Sequence, residues 1–225
     1  MLENVKAVIF DMDGLMVDSE RLGRLGWFEA GQKWGYPITD KEYALVTGRT
    51  VRDAVGIFKG IFGDDFPFHE LREHRVNYEH DYYKKNGIPL KPGLLELLDF
   101  LEANNIPKIV ATSAARKSAI DKLTMGNLIS RFEEICTSDQ IENGKPAPDI
   151  FLLAAKRLNI PPQNCIVLED SEAGVKGAKA AGAVPIMVPD LKPPSEEAQQ
   201  NAFRIVKSLH EVIDIFSTEI LSGKR

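Results

Sequence analysis

Cysteine is scarce: Cys136 and Cys165 are the only two in 225 residues. They repeat at no metal-ligand spacing and make no disulfide framework, so a reducing cytoplasm is the expected compartment. Long apolar runs are missing as well. The opening stretch MLENVKAVIFDMDG has a short apolar run ending in acids, too short for a signal peptide or a membrane span. No later stretch reaches membrane length, and no membrane partner is expected. There is no basic surplus: the formal net charge of −5 argues against nucleic acid as the main partner. A small anionic substrate stays possible, because it needs only a local cluster of donors. Internal repeats are absent, and low complexity is confined to a Pro/Glu/Gln-rich piece at residues 192–200. No heptad or strong apolar stripe is evident, which leads us to expect a monomer.

What is present reads as an ordinary globular protein. The hydrophobic share is 44% and the charged share 27%, and the length allows a core with a smaller inserted domain. Residues 7–10 form a continuous apolar run ending at Asp11, as in a strand buried on both faces of a parallel sheet. Runs at 108–111, 165–168 and 184–188 look alike, 135–137 is weaker, and 203–206 could add an edge. Helical patterns lie between them, at 94–103, 117–125, 150–158, 173–181 and 209–221. This alternation predicts an α/β fold with a doubly wound, Rossmann-like parallel sheet. Residues 19–88 interrupt it with helical patterns and most of the aromatics, which we read as the core of a small helical bundle. The expected organisation is therefore a core of residues 1–18 and 89–225, with 19–88 inserted as an α-helical cap on two linkers, able to open and close over a site.

In an open parallel sheet, ligands bind beyond the carboxyl ends of the strands. The residues after each apolar run are thus a physical test. Asp11-Met12-Asp13-Gly14 comes after the first, Thr112-Ser113 after the second, Gly144-Lys145-Pro146 after the weaker one and Glu169-Asp170-Ser171 after the next. These types fit a metal and a phosphate together. Magnesium prefers hard oxygen ligands, and Asp11, Asp170 and the Asp13 carbonyl can supply them. Thr112 can donate to phosphate oxygens, Lys145 adds a point charge, and Glu169 could orient a metal-bound water. Each piece alone has a plainer reading. DxDG is also turn chemistry. Thr112, Ser113 or the Glu169-Asp170 pair could cap the following helix, as Asp149 is expected to do. The plainer readings do not explain four such pieces in order at corresponding strand ends.

On these residues the sequence resembles the haloacid dehalogenase superfamily, and within it the beta-phosphoglucomutase-like group with a helical cap after the first motif. The matching motifs are VIFDMDG at 8–14, ATS at 111–113, GKPAPD at 144–149 and LEDS at 168–171. The resemblance implies that Asp11 attacks phosphorus and becomes an aspartyl-phosphate, while Asp13 serves as acid and then base. Thr112, Ser113 and Lys145 would hold the transferring group. Asp11, Asp13 and Asp170 would hold Mg2+. The superfamily's dehalogenases lack the second aspartate and its phosphonatases replace it, so the presence of Asp13 favours phosphate esters.

Phosphatases and mutases of this family share the core motifs, so by this resemblance the acceptor is sought in the cap. Mutases of the group carry a histidine early in the first cap helix, whereas residues 20–28 here, ERLGRLGWF, contain none. The expectation is a phosphatase acting on a small phosphate ester, a sugar phosphate by class. A sugar phosphomutase is the alternative, and a non-catalytic phosphate-binding protein a remote one. Arg49, in Thr47-Gly48-Arg49-Thr50, and Glu20 are the candidate substrate contacts from the cap.

Overall fold

The computed structural model describes residues 2–47 and 51–220. The chain divides into two compact units, one made of residues up to Asp18 and from Pro89 onward, the other of Ser19–Ile88.

The first unit is built on a six-stranded, all-parallel sheet of β1 (Ala7–Phe10), β2 (Lys108–Ala111), β3 (Ile135–Cys136), β4 (Cys165–Glu169), β5 (Val184–Met187) and β6 (Arg204–Ile205). Its order is β3-β2-β1-β4-β5-β6. β1 lies between β2 and β4, in register with Val8 beside Lys108 and Ile166. Having wound outward to β3, the chain crosses over β1 to start the other half at β4. The crevice beyond the carboxyl ends of β1 and β4 is therefore the topological switch point, where such sheets bind ligands.

The four β1 residues are fully buried, as a central strand covered on both faces requires. Alternation divides them. Ala7 and Ile9 join Ile109, Ala111, Cys165 and Val167 in a cluster with Ile150, Phe151 and Ala154 of α7 (Asp149–Leu158) and Ala178 of α8 (Glu172–Ala180). Phe10 points to the opposite face and meets the Phe132 ring edge-on at 5.7 Å. The unit also contains α5 (Leu94–Ala103), which packs against α10 (Leu209–Ile215), together with α6 (Arg116–Met125) and α9 (Glu196–Asn201). The apolar pattern at 209–221 is α-helical only to Ile215 and continues as a wider turn, Phe216–Ile220. The segments on either side of the insertion run side by side: Asp18 N donates to Pro89 O at 2.9 Å and Lys91 N to Met16 O at 2.9 Å.

The second unit is helical: α1 (Ser19–Trp34), α2 (Asp40–Val46), α3 (Val51–Phe62) and α4 (Phe68–Asn86). Its core is aromatic. The Trp27 ring lies 5.0 Å from Phe58 and 5.5 Å from Phe68, and Phe58 lies 5.2 Å from Phe66. A capping box starts α2, with the Thr39 N–H donating to Glu42 at 2.9 Å. Among the described residues, no helix is long and apolar enough to cross a membrane.

Candidate active site

The site begins at the end of β1. Asp11 N donates to Leu168 O at 3.0 Å, which sews the first residue past β1 to β4. The chain then turns sharply: Gly14 has φ +83° and its N–H donates to Val17 O at 2.9 Å. Only glycine takes that conformation readily, and a Cβ there would overlap the Asp170 carboxylate. Gly14 thus lets the loops after β1 and β4 approach closely.

Lys145 joins three strand ends. Its ammonium donates to Asp11 after β1, to Ala111 O on β2 at 3.3 Å, and to Glu169 Oε1 on β4 at 2.6 Å. The lysine side chain is 7% exposed, that of Asp11 8% and that of Glu169 0%. The lysine sits in a loop held by Asp149, whose Oδ2 accepts from both Asn143 nitrogens at 3.1 Å. Asp149 is the first residue of α7, and the cap position is Pro148. The expected capping role is therefore not seen; the carboxylate ties back the loop instead. The loop also lies against α8, where a Cβ on Gly177 would come within 3.0 Å of Ala147 O.

The charges compete. Burial, the largest influence, pushes the Asp11 carboxyl up to about 7; the Lys145 charge and hydrogen bond pull it down, and the Glu169 and Asp13 charges push it up. For Lys145, burial alone would lower the pKa, but the Asp11 and Glu169 charges outweigh it and hold the ammonium above its ordinary value. One oxygen each of Asp11, Glu169 and Asp170 lie within 4.8 Å of one another. Three carboxylates thus converge near one buried ammonium. These hard oxygen donors and their excess negative charge fit a small divalent cation.

Glu169 has one oxygen on Lys145, while the other accepts from Ser171 N at 3.1 Å and from Ser171 Oγ at 2.8 Å. The α8 cap is Ser171 rather than Glu169 or Asp170: its Oγ accepts from Gly174 N at 3.1 Å. Thr112 is buried, with its N–H donating to Cys136 O at 3.0 Å and its Oγ1 accepting from Ala114 N at 3.1 Å. Neither Thr112 nor Ser113 caps α6, whose cap position is Ala115. Ser113 is exposed in the same loop. The short β3 pairs parallel to β2, which turns the loop bearing Lys145 toward this edge. Glu20 belongs to the helical unit, where its carboxylate accepts from the Tyr43 hydroxyl at 2.8 Å. Arg49 lies outside the described residues.

One residue was not foreseen. Lys122, on α6, donates to Asp13 Oδ1 in an ion pair. The available signal was positional: Lys122 stands three residues after buried Ala119 and directly before buried Leu123, on the edge of the inward stripe. A lysine there must either reach past the apolar surface or find a partner.

Comparison with known proteins agrees with the fold. The family model of the haloacid dehalogenase-like hydrolases matches residues 5–182, and the chain belongs to that family. A phosphorylated carbohydrates phosphatase of Thermotoga maritima is 32% identical over 178 residues, covering 79% of this chain and 82% of the relative. A Drosophila melanogaster protein named as a probable pseudouridine-5'-phosphatase is 35% identical over 218 residues, covering 93% of this chain and 92% of the relative. The crystal structure of a beta-phosphoglucomutase from Clostridium difficile superimposes with a TM-score of 0.73 at 27% identity, covering 92% of this chain and 93% of the other.

Proposed function

We propose that this chain is a magnesium-dependent phosphatase that hydrolyses a small phosphate ester, a sugar phosphate by class, through an aspartyl-phosphate on Asp11. The observation that carries this reading is the Lys145 ammonium placed among Asp11, Ala111 and Glu169 at the switch point of the sheet. A lysine so placed holds the Asp11 carboxylate in position and offers positive charge to a phosphoryl oxygen arriving beside it. The relatives named as a phosphorylated carbohydrates phosphatase and a probable pseudouridine-5'-phosphatase support the reaction class.

Asp11, Asp170 and the Asp13 carbonyl would hold Mg2+, which supplies neutralisation of charge on the transferring group. The protein's own groups do the rest. Asp11 attacks phosphorus in line, and Asp13 gives a proton to the departing oxygen, then takes one from the water that attacks the intermediate. Thr112, Ser113 and Lys145 hold the phosphoryl oxygens. Glu169, locked to Ser171, keeps Lys145 in place. The helical unit belongs to the same proposal as a cap, with Glu20 and Arg49 choosing the substrate.

The test is a screen of purified protein with magnesium against hexose phosphates, nucleoside monophosphates and p-nitrophenyl phosphate. Release of inorganic phosphate is expected, and is expected to stop on chelation with EDTA and return with added magnesium. No release from any ester, alongside isomerisation of a hexose 1-phosphate, would overturn the phosphatase reading in favour of a mutase.

A further inference from the structure

The ion pair between Lys122 and Asp13 joins residues 109 apart in sequence. Neither side chain is on open surface: Lys122 is 15% exposed and Asp13 29%. A long, flexible side chain gives up rotamer freedom when it is held in this way. Partial withdrawal of both charges from water also costs free energy that their mutual contact helps to return. The pair therefore restricts both partners, and Asp13 is the shorter chain, with fewer torsions through which to escape.

We propose that Lys122 is the positioning residue for Asp13. The inference rests on the reading of Asp13 as the acid and base of a phosphatase. Each half-reaction needs its carboxyl at a set place. In the first, an Asp11 oxygen bonds to phosphorus as the ester P–O bond breaks, and the Asp13 proton goes to the departing oxygen. In the second, a water oxygen bonds to phosphorus as the bond to Asp11 breaks, and a water proton returns to Asp13. Asp13 sits in the turn made by Gly14, and α6 supplies a fixed cation from the neighbouring helix. The ammonium of Lys122 keeps the carboxyl in one rotamer through both steps. A small misplacement of a reacting group costs about 100-fold in rate.

The test compares wild type, Lys122→Met and Lys122→Arg on two esters, phenyl phosphate and p-nitrophenyl phosphate. The first leaves as a poor leaving group that needs its proton; the second leaves readily without one. Lys122→Met should lower kcat/KM for phenyl phosphate by about 10- to 100-fold and for p-nitrophenyl phosphate by roughly threefold or less. Lys122→Arg, which keeps the cation, should recover most of the loss. Crystal structures should show Asp13 in a single rotamer against Lys122 in the wild type and displaced or split in Lys122→Met. Equal losses on both esters, or a rise in KM alike for both with kcat unchanged, would overturn the proposal, the latter by making Lys122 a phosphate-binding group. Wild-type rates in Lys122→Met would overturn it while leaving the phosphatase reading intact. A wild type inactive on both esters would defeat that reading first and this proposal with it.

Discussion

Lys145 stands among three strand ends, and its removal shows at the residue scale what it holds. With Lys145→Met and no magnesium bound, the buried Asp11 and Glu169 carboxylates would face each other without a counter-charge. Removing one partner of a buried pair costs about 3–5 kcal/mol, which for a chain of this size is a fall of roughly 10 °C in melting temperature. We expect thermal unfolding of that variant at neutral pH to show such a fall together with loss of phosphate release; an unchanged melting temperature would contradict the account of Lys145 as a tie between strands. The candidate groups Asp11, Asp13, Thr112, Lys145, Glu169 and Asp170 were readable from the sequence for a physical reason: each comes after an apolar run, and a parallel sheet puts all those ends on one edge. Lys122 and Asp149 escaped that logic. Lys122 reaches the edge from a helix by side-chain length, and the Asp149 carboxylate bonds backward to Asn143 instead of capping its own helix. Such reach depends on rotamers, which no spacing rule encodes.

Among the elements, the strands read clearly where burial on both faces made them uniformly apolar, as in β1 and β4. The two outer strands are two residues long, and the patterns at 135–137 and 203–206 were weaker for that reason. One polar joint at this scale ties the end of α5 to the start of β2 and to Arg131. Glu102, at the end of α5, accepts from Arg131 at 2.7 and 2.9 Å and lies 2.9 Å from the Lys108 ammonium at the start of β2. The Arg131 hydrogen bonds are the largest cause that lowers the Glu102 pKa, from 4.5 to about 2; slight burial opposes them and Lys108 assists. Because the folded value lies below the unfolded one, the joint contributes fully above about pH 4.5 and fades as pH falls through about 2. Glu102 is partly exposed, so solvent screening limits the contribution to about 1 kcal/mol or less. Glu102→Gln should therefore lower stability to denaturant slightly at pH 7 and by less near pH 2; an equal loss at both pH values would rule out this charge-based account.

For the molecule as a whole, the fold and family are those of a haloacid dehalogenase-like hydrolase, and the two compact units carry separate tasks in our proposal. The core unit has the order β3-β2-β1-β4-β5-β6, so the first and fourth strands meet at the switch point. Our proposal puts the chemistry there, where Asp11 follows β1 and Glu169 ends β4. The insertion's helical character was legible from its patterns, and its aromatics, read as its core, do pack there. What it would select, in our proposal, was not legible, because specificity depends on side-chain placement rather than on pattern. The central claim is that the phosphoryl group passes through Asp11. It is tested most directly by quenching the enzyme during turnover with magnesium and substrate, reducing with borohydride, and mapping peptides by mass spectrometry. An aspartyl-phosphate is reduced to homoserine, so homoserine should be found at position 11 and only when substrate was present. Steady phosphate release with position 11 recovered wholly as aspartate, or homoserine at another position, would contradict the account.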